Sequence, residues 1–124
     1  MSKLTASTPF INVSVKVRPG GAPGNYKVET APAVLCIKQP DTVINYQIVD
    51  SGDYKILFNK KNPMTVVPAD NDQLSLPSVS QSGRLLTFND ANSSKMTLNI
   101  SLNFVDQDGI EFSHDPEVDN DPEG

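Results

Sequence analysis

From Met96 to Phe104, apolar and polar residues alternate without a break. Met96, Leu98, Ile100, Leu102 and Phe104 stand against Thr97, Asn99, Ser101 and Asn103. A strict period of two predicts a strand with one face in a core and one in water. Phe10 to Val17 repeats the pattern, with Ile11, Val13, Val15 and Val17 on one side and Asn12, Ser14 and Lys16 on the other. Its β-branched residues suit a pleated, half-buried surface. Thr42 to Val49 directs Ile44, Tyr46 and Ile48 inward, and Arg84 to Asn89 sets Leu86 and Phe88 against Leu85 and Thr87. Tyr26–Glu29, Met64–Val67 and Gln73–Leu76 are shorter candidates, and Asp108-Gly109 turns the chain into Ile110, Glu111 and Phe112. Ala33 to Lys38 is a continuous apolar run between Pro32 and Pro40, which predicts a strand covered on both faces, with Cys36 inside it. After the turn Asp50-Ser51-Gly52-Asp53, Tyr54 to Asn59 is expected to return as a hairpin with its predecessor.

Turn signals separate these segments at spacings of about ten residues, the pattern of a sandwich or barrel. No window shows a sustained helical period. Ten Pro and seven Gly also exceed what a helical bundle would tolerate. Parallel pairing needs long crossovers, usually helical, and none is visible. The expected fold is an all-β, antiparallel β-sandwich of the immunoglobulin-like kind. That expectation rests on architecture, because the Cys–Trp–Cys and tyrosine-corner marks are absent.

A chain of 124 residues suggests one domain with room for a core. With no Trp, five Phe and three Tyr, that core is aliphatic. The single cysteine excludes an intramolecular disulfide. Met1 to Ala6 lacks the apolar run of a leader, and no apolar run is long enough to span a bilayer, so a cytoplasmic protein without membrane contact is expected.

Charge divides the chain unevenly. Residues 106–124 hold eight of the fifteen acids and no Lys or Arg. The remainder carries seven acids against ten bases, so a body at +3 precedes an end at -8. A body so weakly basic, with no aromatic–basic interleaving, argues against nucleic acid. The expected division is a β-sandwich domain over residues 1–113 and an acidic C-terminal tail over residues 114–124.

Candidate chemistry is sparse. His114 is the only histidine and Cys36 the only thiol, and Cys36 reads as a small buried hydrophobe. Neither a nucleophile with its base nor a zinc site can be assembled from them. Pro19-Gly20-Gly21-Ala22-Pro23-Gly24 lacks the Lys and the helix of a phosphate loop, and reads as a turn. The acidic end carries more. Asp115, Glu117, Asp119 and Asp121 occupy every second position, an oxygen-rich pattern suited to Ca²⁺. The Gly and final Glu of an EF-hand are missing. Asp-Asn-Asp also occurs at residues 70–72, where a turn explains it. Against a calcium site stand a solvated tail and a tail docked on the body through Val118 and a basic face of Lys16, Arg18, Lys27 or Lys55.

Asp115-Pro116-Glu117 and Asp121-Pro122-Glu123 repeat one triplet six residues apart. With its Phe112-to-Gly124 ending, this part of the chain resembles the DP-EP family, small bacterial proteins named for Asp-Pro and Glu-Pro motifs. The two Asp-Pro pairs match the first motif. The second is not met, since Gly124 follows Glu123. The resemblance covers about a dozen residues and implies no activity. It does imply that the acidic end is a feature of the protein.

The expected function is therefore non-enzymatic: a module that binds a protein partner or its own copies. The alternative is a calcium- or carbohydrate-binding module that uses the acidic segment, with Asp115, Glu117, Asp119 and Asp121 as metal ligands and no other cofactor.

Overall fold

A computed structural model describes residues 7–22 and 24–122. Met1 to Ala6, read above for a leader, lie outside these residues, as do Pro23 of the Pro-Gly turn and the final Glu123 and Gly124. The described residues contain eleven strands and no helix: β1 Phe10–Pro19, β2 Tyr26–Ala31, β3 Val34–Ile37, β4 Thr42–Asp50, β5 Leu57–Phe58, β6 Met64–Val67, β7 Ser78–Val79, β8 Leu85–Asp90, β9 Met96–Val105, β10 Glu111–His114 and β11 Glu117–Asn120.

The strands form two sheets that do not close into a barrel. The first has the order β2-β1-β4-β8-β7. The second has the order β10-β9-β11-β3, with β5 and β6 on the other edge of β9. Both are mixed, which corrects the antiparallel expectation. β1 runs parallel to β4, and β11 runs parallel to β3. The crossovers that parallel pairing demands are present, but they are made of strands. The chain leaves β1, passes through β2 and then β3 of the second sheet, and returns to the first sheet as β4.

One core lies between the inward faces. Val13, Val15, Val17, Ile44, Tyr46, Ile48, Leu86 and Phe88 come from the first sheet. Leu35, Ile37, Phe58, Met64, Leu98, Ile100, Leu102, Phe104 and Val118 come from the second. The inward sets expected for β1, β4, β8 and β9 are those observed, except that Ile11 and Met96 at the strand ends are only partly buried.

Two local expectations fail for tertiary reasons. Tyr54–Asn59 forms no hairpin with β4, because β1 and β8 already occupy both edges of that strand. Instead Leu57 and Phe58 cross to the second sheet and pair with Val105 and Phe104 of β9. The Ala33–Lys38 run is not covered on both faces. Leu35 and Ile37 are buried, whereas Val34 is 51% exposed and Cys36 is exposed, since β3 is an edge strand with a wet outer face. Ser78–Val79 pairs with β8 as the short strand β7.

The acidic segment is where the structure departs furthest from expectation. It does not trail from a body that ends at residue 113. Glu117–Asn120 is strand β11, seated between β9 and β3. Glu111 pairs with Val105, His114 with Leu102, Glu117 with Asn99 and Asn120 with Met96, so one antiparallel register runs unshifted along β9 through both β10 and β11. Pro116 interrupts that ladder because it has no N–H to give. Its carbonyl still accepts from the Ile100 N–H at 3.2 Å. Val118 is 0% exposed and packs in the common core.

Candidate functional site: the outer face of the second sheet

β9 is paired along both edges and forms the rigid spine of the second sheet. Its outward residues therefore stand at fixed places in cross-strand rows. One row runs Val34, Glu117, Asn99, Val67 across β3, β11, β9 and β6. The next runs Cys36, Asp119, Thr97. On the other side Thr65 stands beside Ser101, and Asn103 beside Ser113. The result is a platform of short amides, hydroxyls and carboxylates with apolar Val34 and Val67 at its flanks, Val67 being 65% exposed.

The four carboxylates expected to share a metal all lie along this segment, and three of them are held by different partners. Asp115 Oδ1 accepts from the Ser101 hydroxyl at 2.7 Å. Asp119 Oδ1 accepts from the Thr97 hydroxyl at 2.9 Å. Asp121 Oδ2 accepts from Lys38 Nζ at 2.8 Å, and this hydrogen bond, with the lysine charge, holds its pKa below the usual carboxylate range. Glu117 is half-buried between Val34 and Asn99. Same-face residues of a strand repeat every ~6.7 Å. Oxygens on one Ca²⁺ lie within about 5 Å of each other. Among the described residues no three His, Cys, Asp or Glu side chains form a group that could hold a metal ion. The docking partners are also different from those expected. Lys38 meets the segment, while Arg18 pairs with Glu29 at 2.7 Å.

Next to the platform is a shallow cleft of about 450 Å³ lined by Asn59, Lys61, Asn62, Asn103, Glu111 and Ser113 among others. The Asn103 amide donates to the Asn62 carbonyl at 2.9 Å and its oxygen accepts from the Ser113 hydroxyl at 2.8 Å. The Asn59 amide is hydrogen-bonded to Glu111. Behind the cleft Phe112 stacks between Tyr26 and Phe104, with ring centroids 4.5 and 5.2 Å away. Amides and hydroxyls held by one another offer a pre-organised polar surface.

The residues considered for catalysis sit elsewhere. Cys36 is exposed, which corrects its reading as a buried hydrophobe. His114 lies opposite Leu102 and is half-buried, and desolvation lowers its pKa from 6.5, with Asp115 partly opposing.

One polar group escaped the sequence analysis. Asp90, Asn92, Gln73 and Asn120 are all buried where β3, β8 and β11 end. Gln73 joins the two Asp-Asn-Asp segments: its amide donates to Asp72 at 2.8 Å and its oxygen accepts from Asn120 at 3.3 Å. Parity along β8 could have signalled it, since Asp90 continues the inward series of Leu86 and Phe88.

Fold and surface together define an all-β protein of two mixed sheets on one core, with a polar platform on the second sheet. No helix among the described residues is long and apolar enough to cross a membrane. The family model of the DP-EP family matches residues 9–122, and the chain belongs to that family. The match extends far beyond the Asp-Pro pairs that suggested it. No curated protein matches the chain.

Proposed function

We propose that this protein is a non-enzymatic binding module, an immunoglobulin-like sandwich that engages a partner protein or its own copies through the outer face of the second sheet. The observation that carries this reading is the row Val34, Glu117, Asn99, Val67, which places exposed apolar groups on either side of polar ones across four paired strands. Interfaces combine apolar anchors with satisfied polar groups in this manner. Among the described residues β3 ends its sheet, and its outer edge adds backbone groups able to extend the sheet with another strand.

Sedimentation velocity over a wide concentration range tests self-association. The wild-type coefficient is expected to rise with concentration, and that of an Asn99→Arg, Val67→Glu double variant is not. A monomer at every concentration would remove the self-association arm.

The cleft beside Asn103 favours a second reading, a site for a polyhydroxylated ligand, because its lining presents amides, hydroxyls and a carboxylate. Calorimetric titration with a panel of neutral oligosaccharides, repeated on Asn103→Ala, decides it. Heat that persists in the variant or is absent from the wild type counts against the cleft.

A further inference from the structure

The buried group around Asp90 has more hydrogen-bond acceptors than donors. Each primary amide has two hydrogens to give. Those of Asn92 go to the carbonyls of Ile37 at 3.1 Å and Gln39 at 3.3 Å. Those of Asn120 go to Asp90 Oδ1 at 2.8 Å and Gln73 Oε1 at 3.3 Å. Those of Gln73 go to Asp72 and Ser93, both at 2.8 Å. Asp90 Oδ1 also accepts the Asn92 backbone N–H at 3.0 Å. With every amide hydrogen engaged, Asp90 Oδ2, Asn92 Oδ1 and Asn120 Oδ1 remain buried and without a partner.

Turning the amides over does not relieve this. A flipped Asn120 would set its oxygen against Asp90 Oδ1 and Gln73 Oε1, and a flipped Asn92 would set its oxygen against two carbonyls. The three orphan oxygens therefore belong to residues that meet at Asp90 Oδ1, Asn120 through its side-chain amide and Asn92 through its backbone N–H. Asp90 is 0% exposed, while Asn92 and Asn120 are each 2% exposed. No salt bridge found among the described residues includes Asp90.

Three species could relieve such a group. A proton on Asp90 Oδ2 supplies one hydrogen and reaches one amide oxygen. A water supplies two hydrogens and leaves the carboxylate charge uncompensated. A hard cation can serve all three oxygens and the charge together. We propose that Asp90, Asn92 and Asn120 hold a hard, oxygen-liganded cation of the calcium or sodium class, which locks the C-terminal strand β11 to the end of β8. This site is distinct from the outward Asp115, Glu117, Asp119 and Asp121, and it does not depend on the platform's binding role. Asn120 is the inward member of Asp119-Asn120-Asp121, so the segment that suggested a cation would contribute through its amide.

The test uses the full chain, freed of metal by chelator and exchanged into choline chloride. Thermal melting is followed while CaCl₂ or NaCl replaces choline at constant ionic strength. Equilibrium dialysis with elemental analysis gives the stoichiometry. One bound ion per chain is expected, with a rise in Tm of about 5 °C once the cation exceeds its dissociation constant by about tenfold. Whichever salt gives the rise names the ion. Asp90→Asn removes the response, and the Asp119→Asn, Asp121→Asn pair retains it. Three results would overturn the proposal: melting blind to both cations with nothing retained on dialysis; a response lost with the outward pair and kept in Asp90→Asn; or cation-blind stability that falls as pH rises, which would make Asp90 a neutral acid. Should Asp90→Asn fail to fold, dialysis of the wild type decides alone.

Discussion

The Tyr26 phenol donates its hydrogen to Asp106 Oδ2 over 2.7 Å, across eighty residues of sequence. The bond ties the first strand after the Pro-Gly turn, in the first sheet, to the turn that follows β9 in the second. Asp106 also caps that turn, since its Oδ1 accepts the N–H groups of Asp108 and Ile110, each at 2.9 Å.

The pair is expected to show itself at both ends of the pH scale. The Tyr26 hydroxyl, helped by the two N–H groups, holds the Asp106 pKa below its ordinary 3.8. Its contribution is present above that ordinary value and is lost as pH falls through the lowered one. Tyr26→Phe should therefore move the acid unfolding midpoint to higher pH. In turn, the hydrogen bond to Asp106 pushes the Tyr26 phenol up to about 12. That contribution is present below the ordinary value near 10 and is lost as pH rises through about 12. Asp106→Asn should bring one phenolate transition to lower pH in an alkaline absorbance titration. An unchanged titration would show that the bond does not persist in solution.

Val118 tests whether the acidic segment belongs to the folded body. It is fully buried, opposite Leu98 on one side and Leu35 on the other. Val118→Ala is expected to cost about 2 kcal/mol in a urea melt, from lost burial and an unfilled cavity. A chain stopped after Ser113 loses the strand between β9 and β3 and should not unfold cooperatively. A truncated chain that melts like the full one would mean that β11 adds nothing to the sheet.

Cys36 is exposed on an edge strand. It should react stoichiometrically with a thiol reagent in the native protein, at a rate that denaturant raises only modestly. Strong protection without denaturant would show that the β3 edge is covered, and a concentration-dependent protection would locate the self-association surface there.

His114 should titrate below 6.5, because burial disfavours the imidazolium more than Asp115 supports it. A base with a depressed folded pKa contributes stability above its unfolded value that is lost as pH falls through the folded one. Proton NMR of the single imidazole is expected to give a midpoint below 6.5, and a midpoint above it would place His114 in water beside Asp115.

Much of the fold is already written in local patterns. The alternation in β1, β4, β8 and β9 declares both strand and inward face, because a half-buried strand must repeat every two residues. Val118 shows where this stops. β11 has one apolar inward residue, its inward neighbour is Asn120, and Pro116 breaks the run before it. Four acids in seven positions then outweigh one valine in any reading of composition. The candidate site divides in the same way: the outward polar row of β9 is legible, but its flanks Val34 and Val67 come from distant strands.

The sequence by itself determined the all-β class, the inward faces of the long strands, and the concentration of acidic residues after Val105. Tertiary structure alone decided that β1 and β4 run parallel, that Leu57–Phe58 leaves β4 for β9, and that the acidic end is an internal strand. It also decided that Asp90, Asn92 and Asn120, spread over thirty residues, meet in one buried group. The physical reason is the same throughout. Periodicity records which side of a strand is dry, whereas the choice of neighbour is made by edges already occupied and polar groups seeking partners far along the chain.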